Sequence, residues 1–270
     1  MSTPLSSVAI IGCGWLGKAL ATELTAMGHP LMVTSRSQVE SLKSQGLDAI
    51  ALDLSPDVQS PEFSRLAQAD VAVILLPPRA RSGDGALYPQ KINALVTGLK
   101  QLGVYKVVFA SSTSVYPSLN QDADESCELK PDMPSGKLLR LVEQELLQDS
   151  ELNACVIRFA GLVGPAREPG QILAGKKAVK GPYSPVNLIH QQDAVGVLVK
   201  VLQCEPWGDI FNACAPIHPN KVDLYPAAAR ALGLEAPEFV DSPAPFKRII
   251  ADKIEKQLGY TYRLPDPRSF

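Results

Sequence analysis

Short apolar runs alternate with helically spaced apolar positions along the first part of this chain. Residues 8–11, 31–34, 49–52, 71–76, 106–110 and 154–159 read as strands. Between them, Leu16, Leu20, Leu24 and Met27 recur at helical spacing before Gly28. A helix over 38–45 closes on Gly46, and Ile92, Leu95, Val96, Leu99 and Leu102 run to Gly103. Residues 138–147 form a further long helical pattern. The unbroken apolar run at 71–76 is what a strand covered on both faces requires. This rhythm predicts an α/β fold, a doubly wound parallel (Rossmann) sheet with right-handed crossovers placing helices on both faces. Past residue 165 the pattern degrades into Pro- and Gly-rich sequence. There, 193–203, 222–232 and 249–258 read as helices and 210–213 as one more strand. The expected organisation is a core over 1–165 that also takes in about 187–214, and a smaller irregular C-terminal substrate lobe over 166–270.

In such folds ligands bind beyond the carboxyl ends of the strands. The first strand runs straight into Gly12-Cys-Gly14-Trp-Leu-Gly17. Gly12 would make the tight turn, Gly14 would let backbone approach a pyrophosphate, and Gly17 would let the helix pack on the strand. Trp15 and Leu16 open that helix, where backbone N–H groups and the helix dipole favour an anion. A bare Gly-x-Gly-x-x-Gly is weak evidence, but here a strand precedes it and a helix follows. About 20 residues further on, NAD sites carry an acid for the ribose 2′-hydroxyl. This chain has Thr34-Ser35-Arg36-Ser37, with no acid before Glu40. Arg36 offers a planar cation for a 2′-phosphate, with Ser35 beside it, so the expected cofactor is NADP rather than NAD. The competing reading makes Arg36 a solvated residue opening the next helix. Asp53 and Leu54, after the third strand, are candidates to touch the adenine or are an ordinary strand end. Arg79 and Arg81 are candidates for a phosphorylated ligand or belong to a solvated loop.

Composition narrows the classes. The 270 residues are 46% hydrophobic and 20% charged, with net charge −2. That charge gives no global basic field, which argues against nucleic acid or anionic membrane as partners. No apolar stretch reaches transmembrane length. Five cysteines (Cys13, Cys127, Cys155, Cys204 and Cys214) lack Cys-x-x-Cys spacing and read as reduced thiols of a cytoplasmic protein. His29, His190 and His218 lie far apart without metal-site spacing.

Several segments together resemble the short-chain dehydrogenase/reductase superfamily, in its extended, NAD(P)-dependent epimerase/dehydratase-like branch. Ser111-Ser112-Thr-Ser-Val115-Tyr116-Pro resembles that branch's Ser-Ser-x-x-Val-Tyr-Gly. Arg158-Phe-Ala-Gly161-Leu-Val-Gly164-Pro165 resembles Arg-x-x-Asn-x-x-Gly-Pro, with Gly161 in place of Asn. Asn187-Leu-Ile-His190-Gln-Gln-Asp193, Ile210-Phe-Asn212 and Leu258-Gly259-Tyr260 are similar to later family segments. More narrowly, Gly-Trp-Leu-Gly and Ala-Gly-Leu-Val-Gly-Pro resemble the atypical YeeZ-type members.

The resemblance implies a small-molecule substrate, hydroxylated or nucleotide-linked, with Ser112 orienting its oxygen and Lys137 holding the nicotinamide ribose. It also implies a tyrosine four residues before that lysine, to exchange a proton while hydride moves. Met133 stands there instead, and a thioether exchanges no proton near neutral pH. Tyr116 is one replacement candidate, with Tyr88 and Tyr183 behind it. Otherwise substrate, water or Ser112 handles the proton, or the chain is a non-catalytic NADP(H)-binding redox sensor. Asn93 matches the family's structural active-site Asn or is an exposed helix residue. His190 and Asp193 are expected to fix a loop and cap the following helix. Helices around 88–102 and 138–147 resemble a pair that forms a homodimer interface. The alternative is that their apolar stripes are used up against the sheet.

Overall fold

The computed structural model describes residues 6–54, 60, 62–78 and 85–270. The chain begins with β1 (Val8–Ile11), α1 (Trp15–Ala26), β2 (Leu31–Ser35), α2 (Val39–Ser44) and β3 (Asp48–Ala51). Next come β4 (Val71–Ile74), α3 (Tyr88–Gln101), β5 (Lys106–Ser112), β6 (Gln121–Ala123), α4 (Pro134–Gln148) and β7 (Asn153–Phe159). The remainder holds β8 (Gly161–Val163), α5 (Gly170–Leu173), β9 (Leu188–His190), α6 (Gln191–Cys204), β10 (Ile210–Ala213), α7 (Lys221–Ala231) and β11 (Lys247–Ile249).

Seven strands form one sheet in the order β10-β7-β5-β4-β1-β2-β3, as the alternating pattern predicts. The pairings of β1 with β2 and β4, of β2 with β3, and of β4 with β5 are parallel. β1 and β4 are buried along their whole length, which explains their lack of polar alternation. The chain runs outward from β1 to β3 and then returns to place β4 on the other side of β1. This makes the β1/β4 boundary the topological switch point, where the carboxyl ends of two strands leave a crevice.

Two compact units divide the chain. The first comprises Met1–Ser112, Met133–Ile157 and Val201–Ile210; the second comprises Thr113–Asp132, Arg158–Lys200 and Phe211–Phe270. The segments after β5 and within β7, which the apolar rhythm assigns to the core, thus belong to the second unit. The first of them is a connection that holds the Thr113–Val115 turn and β6, and the second starts at Arg158, inside β7. In the first unit, the apolar positions of α3 (Ile92, Leu95, Val96, Leu99) and α4 (Leu139, Val142, Leu146) are buried. Leu141 of α4 is exposed, as are Gln90, Asn93, Arg140 and Gln144. The second unit has two small parallel pairings, β6 with β11 and β8 with β9. Its apolar cluster joins Val163, Val186, Leu188, Leu224 and Tyr225, with Phe270 packed against it.

The helix expected over 249–258 forms over 252–258, with a π-helical stretch at Ile254–Leu258, and its expected first residue, Ile249, instead ends β11. A non-local partner explains the difference: Lys247, Arg248 and Ile249 pair with Gln121, Asp122 and Ala123. Among the described residues, no helix is long and apolar enough to cross a membrane.

Candidate functional site

The turn after β1 shows how three glycines divide the work. Gly12 has φ +100°, and a Cβ there would lie 2.7 Å from Leu76 Cδ2, beyond the end of β4. Its N–H donates to Thr34 Oγ1 at 3.1 Å, and the Cys13 N–H donates to the Thr34 carbonyl at 2.7 Å. The loop is thus moored to the end of β2. Thr34, buried at the end of β2, takes this mooring role, which periodicity alone did not single out. Gly14 precedes α1 and meets open space, with no heavy atom within 4 Å of a Cβ. Gly17 packs so closely that its Cβ would be 2.7 Å from the Gly12 carbonyl oxygen and 3.3 Å from Ile10 Cγ2. Trp15 and Leu16 start α1, which has no side-chain cap at its N-terminus. A bare helix N-terminus under an open Gly14 suits a pyrophosphate, whose oxygens need backbone donors and room to approach. Burial pushes the Cys13 thiol up to about 11, so the cysteine in this loop is an inert packing residue.

At the end of β2, Arg36 is exposed. Ser35 Oγ accepts the Gln38 N–H at 3.1 Å, shaping the turn into α2 and fixing the backbone that carries Arg36. Asp53 is exposed and Leu54 half-buried just beyond β3. These residues follow adjacent strands β1, β2 and β3, the arrangement that a dinucleotide's pyrophosphate, ribose and adenine require. Arg79 and Arg81 lie outside the described residues.

Ser112, half-buried, ends β5. Its neighbour Ser111 donates to the buried carboxylate of Glu143, tying β5 to α4. The signal for that tie was a carboxylate at a helix position flanked by buried Leu139, Val142 and Leu146. Lys137 is exposed in the first turn of α4, and its N–H donates to the Met133 carbonyl at 3.1 Å. Met133 caps the helix with an exposed side chain. Met133 and Lys137 are thus one helical turn apart at the start of α4.

Tyr116 lies in the second unit and is fully buried. Arg158 Nη1 donates to its hydroxyl at 2.7 Å, and the hydroxyl donates to Asn212 Oδ1 at 2.8 Å. The Arg158 guanidinium also sits 5.0 Å from the ring centroid. Burial pushes the phenol up to about 12. Tyr88, also buried, donates to the Leu76 carbonyl at 2.7 Å, and burial raises its phenol further still. Both hydroxyls are committed to the chain's interior, whereas Tyr183 is 71% exposed. Asn93 is exposed on α3.

His190 Nδ1 faces the Gln192 N–H at 3.2 Å, and its ring lies 5.5 Å from Phe270. Asp193 does not cap a helix, because α6 already begins at Gln191. Fully buried, it accepts the Tyr260 hydroxyl at 2.7 Å and the Arg263 and Leu264 N–H groups at 2.7 and 3.0 Å. Its donors come from a segment far along the chain, and helix-start statistics do not register them. Among the described residues, no group of three His, Cys, Asp or Glu side chains could hold a metal ion.

Residues 8–213 match the NAD dependent epimerase/dehydratase family. Protein YeeZ of Escherichia coli K12 is 38% identical over 270 residues, covering 97% of this chain and 98% of that protein. Among solved structures, MoeE5 in complex with UDP-glucose and NAD superposes with a TM-score of 0.79 at 21% identity, over 95% of this chain and 93% of that one. UDP-N-acetylglucosamine 4-epimerase from Bacillus cereus gives 0.77 at 16% identity, over 98% and 93%. At such identities these two structures speak to the fold.

Proposed function

Because the chain belongs to the NAD dependent epimerase/dehydratase family, we propose that it is an NADP(H)-dependent enzyme of that type, acting on a small hydroxylated or nucleotide-linked substrate. The observation that carries the cofactor half is the glycine turn. Its φ +100° residue, its open Gly14 and its close-packed Gly17 form a cradle that a side chain at Gly17 would destroy. In this reading Gly12, Gly14, Trp15, Leu16 and Gly17 hold the pyrophosphate. Arg36 and Ser35 take the 2′-phosphate, Asp53 and Leu54 flank the adenine, and Lys137 holds the nicotinamide ribose. The bound dinucleotide would supply hydride transfer. MoeE5, solved with UDP-glucose and NAD, supports a dinucleotide beside a nucleotide-linked sugar.

Ser112 orients the substrate oxygen. Met133 moves no proton, and we assign none to Tyr116, whose hydroxyl is enclosed by Arg158 and Asn212. The proton then passes through Ser112, the substrate or water. Tyr116→Phe is expected to leave turnover unchanged while lowering stability by about 1–2 kcal/mol, the usual loss of a buried hydrogen bond. Urea denaturation and a substrate assay on the same variant check this, and a collapse of turnover in a folded protein would restore Tyr116 to the chemistry.

Calorimetric titration of cofactor-stripped protein tests the cofactor assignment. NADPH should bind far more tightly than NADH. Arg36→Ala should weaken NADPH binding by about ten- to a hundredfold, the range for losing a charge-assisted contact, with NADH little changed. Equal losses for both would remove Arg36 from the 2′-phosphate. Met133 favours a second reading, a non-catalytic NADP(H)-binding regulator. NADPH binding with no hydride transfer across a carbonyl and sugar panel would select it.

A further inference from the structure

Within β2 the apolar residues Leu31, Met32 and Val33 give way to Thr34, at a buried position that another apolar residue would suit. Its partner across the sheet is Ile11, the last residue of β1, after which the chain leaves for the glycine turn. Thr34 follows it past that point with both of its acceptors. Oγ1 takes the Gly12 N–H at 3.1 Å and the carbonyl takes the Cys13 N–H at 2.7 Å. All of these residues belong to the first unit.

A buried hydroxyl is unfavourable unless it is bonded, and this one satisfies an N–H with few alternatives. Gly12 sits at φ +100° with Leu76 where a Cβ would be, so aiming its N–H elsewhere would mean rebuilding the turn. The Gly14 N–H donates to the Gly12 carbonyl at 2.8 Å. Three successive N–H groups of the turn are therefore satisfied within the chain. The next donors toward an anion are those at the start of α1, because the first N–H groups of a helix find no acceptor inside it. The first bond of that helix runs from the Lys18 N–H to the Gly14 carbonyl at 2.9 Å. The turn decides where those donors stand, and Thr34 holds the turn.

We propose that Thr34 is a positioning residue for the dinucleotide, a role that rests on the cofactor reading above. Its hydroxyl fixes the glycine turn and, through it, the start of α1 that receives the pyrophosphate. This differs from the role of Arg36, since the pyrophosphate is common to NADPH and NADH.

Thr34→Val keeps the shape of the side chain and removes the acceptor, whereas Thr34→Ser keeps the acceptor. Cofactor-stripped full-length proteins are titrated calorimetrically with NADPH and NADH well below their melting temperatures, and thermal melts are recorded alongside. Thr34→Val should bind both dinucleotides about tenfold more weakly, the scale of one lost hydrogen bond, with the NADPH/NADH ratio kept within about twofold. Thr34→Ser should return both affinities to within about twofold of the parent. A valine variant that melts lower yet binds both dinucleotides as the parent does has lost stability alone, and the proposal falls. A loss confined to NADPH, or no recovery with serine, overturns it too. If Thr34→Val does not fold, Thr34→Cys, whose thiol is a weak acceptor, is read by the same outcomes. A parent that binds neither dinucleotide defeats the cofactor reading and this role with it. A parent that binds beside a valine variant that binds equally well defeats the role of Thr34 alone.

Discussion

Gly17→Val is expected to damage the protein itself, and Gly14→Val only its ability to bind a dinucleotide. At Gly17 the obstacle is the backbone oxygen of Gly12, 2.7 Å from where Cβ would be, with Ile10 behind it. Backbone of a buried strand end cannot move aside as a flexible side chain can, so the cost should reach about 3 kcal/mol, the upper end of overpacking. For a chain of this size that corresponds to a fall in Tm of roughly ten degrees. Gly14 has φ −90°, which L-residues adopt, and nothing stands within 4 Å of its Cβ. Its valine variant should melt within about 0.5 kcal/mol of the parent, as surface changes do. The added side chain would fill the space a phosphate needs, lowering NADPH affinity about a hundredfold, or roughly 2.7 kcal/mol. Thermal melts and calorimetric titrations of both variants separate the two effects. Unimpaired NADPH binding by Gly14→Val would move the cofactor away from this loop, and a parental Tm for Gly17→Val would contradict the close packing.

The second large effect is expected at Asp193, where one buried carboxylate gathers the Tyr260 hydroxyl and two backbone N–H groups. Asp193→Ala leaves three donors facing an apolar hole. The loss should be about 3–5 kcal/mol, as when one side of a buried charged hydrogen-bonded cluster is removed. Asp193→Asn should cost less but remain clearly destabilising. Either orientation of the amide turns an NH2 toward groups that also donate. Gly196, one turn further along α6, leaves room for this cluster, since a Cβ there would collide with the Tyr260 hydroxyl. Urea denaturation gives the magnitude. Limited proteolysis should show the segment from Tyr260 onward becoming cleavable first. An alanine variant within about 1 kcal/mol of the parent would mean that the C-terminal segment is held by its other contacts.

These two sites also mark what local sequence could and could not reveal. The glycine turn is legible because everything it needs lies within ten residues: an apolar strand, three glycines at fixed offsets and a helix. The parallel strands are legible because burial on both faces writes them as apolar runs, β1 and β4 most plainly. Asp193 is misread as a cap because its donors come from residues 260–264. The helix expected over 249–258 starts three residues late, at Asp252, because Ile249 is drawn into β11 by its pairing with Ala123 of β6. Tyr116 sits in a motif that suggests chemistry, yet its hydroxyl is enclosed by groups from β7 and β10. Glu143 could have been noticed as an acid among apolar neighbours, but its bond to Ser111, which ties α4 to β5, is non-local.

The division into units has a practical meaning for anyone recombining this family. Each unit is assembled from three separate stretches of chain, so the polypeptide changes unit five times between its ends. No single breakpoint excises either one. A chimera that exchanged the second unit with a relative's would have to graft 113–132, 158–200 and 211–270 together. A crossover placed at any one junction would join incompatible halves of β7, α6 or β10, or sever the loops before and after β6. Change in the second unit of such a lineage is therefore expected to accumulate by point substitution within those three stretches rather than by exchange of an intact cassette.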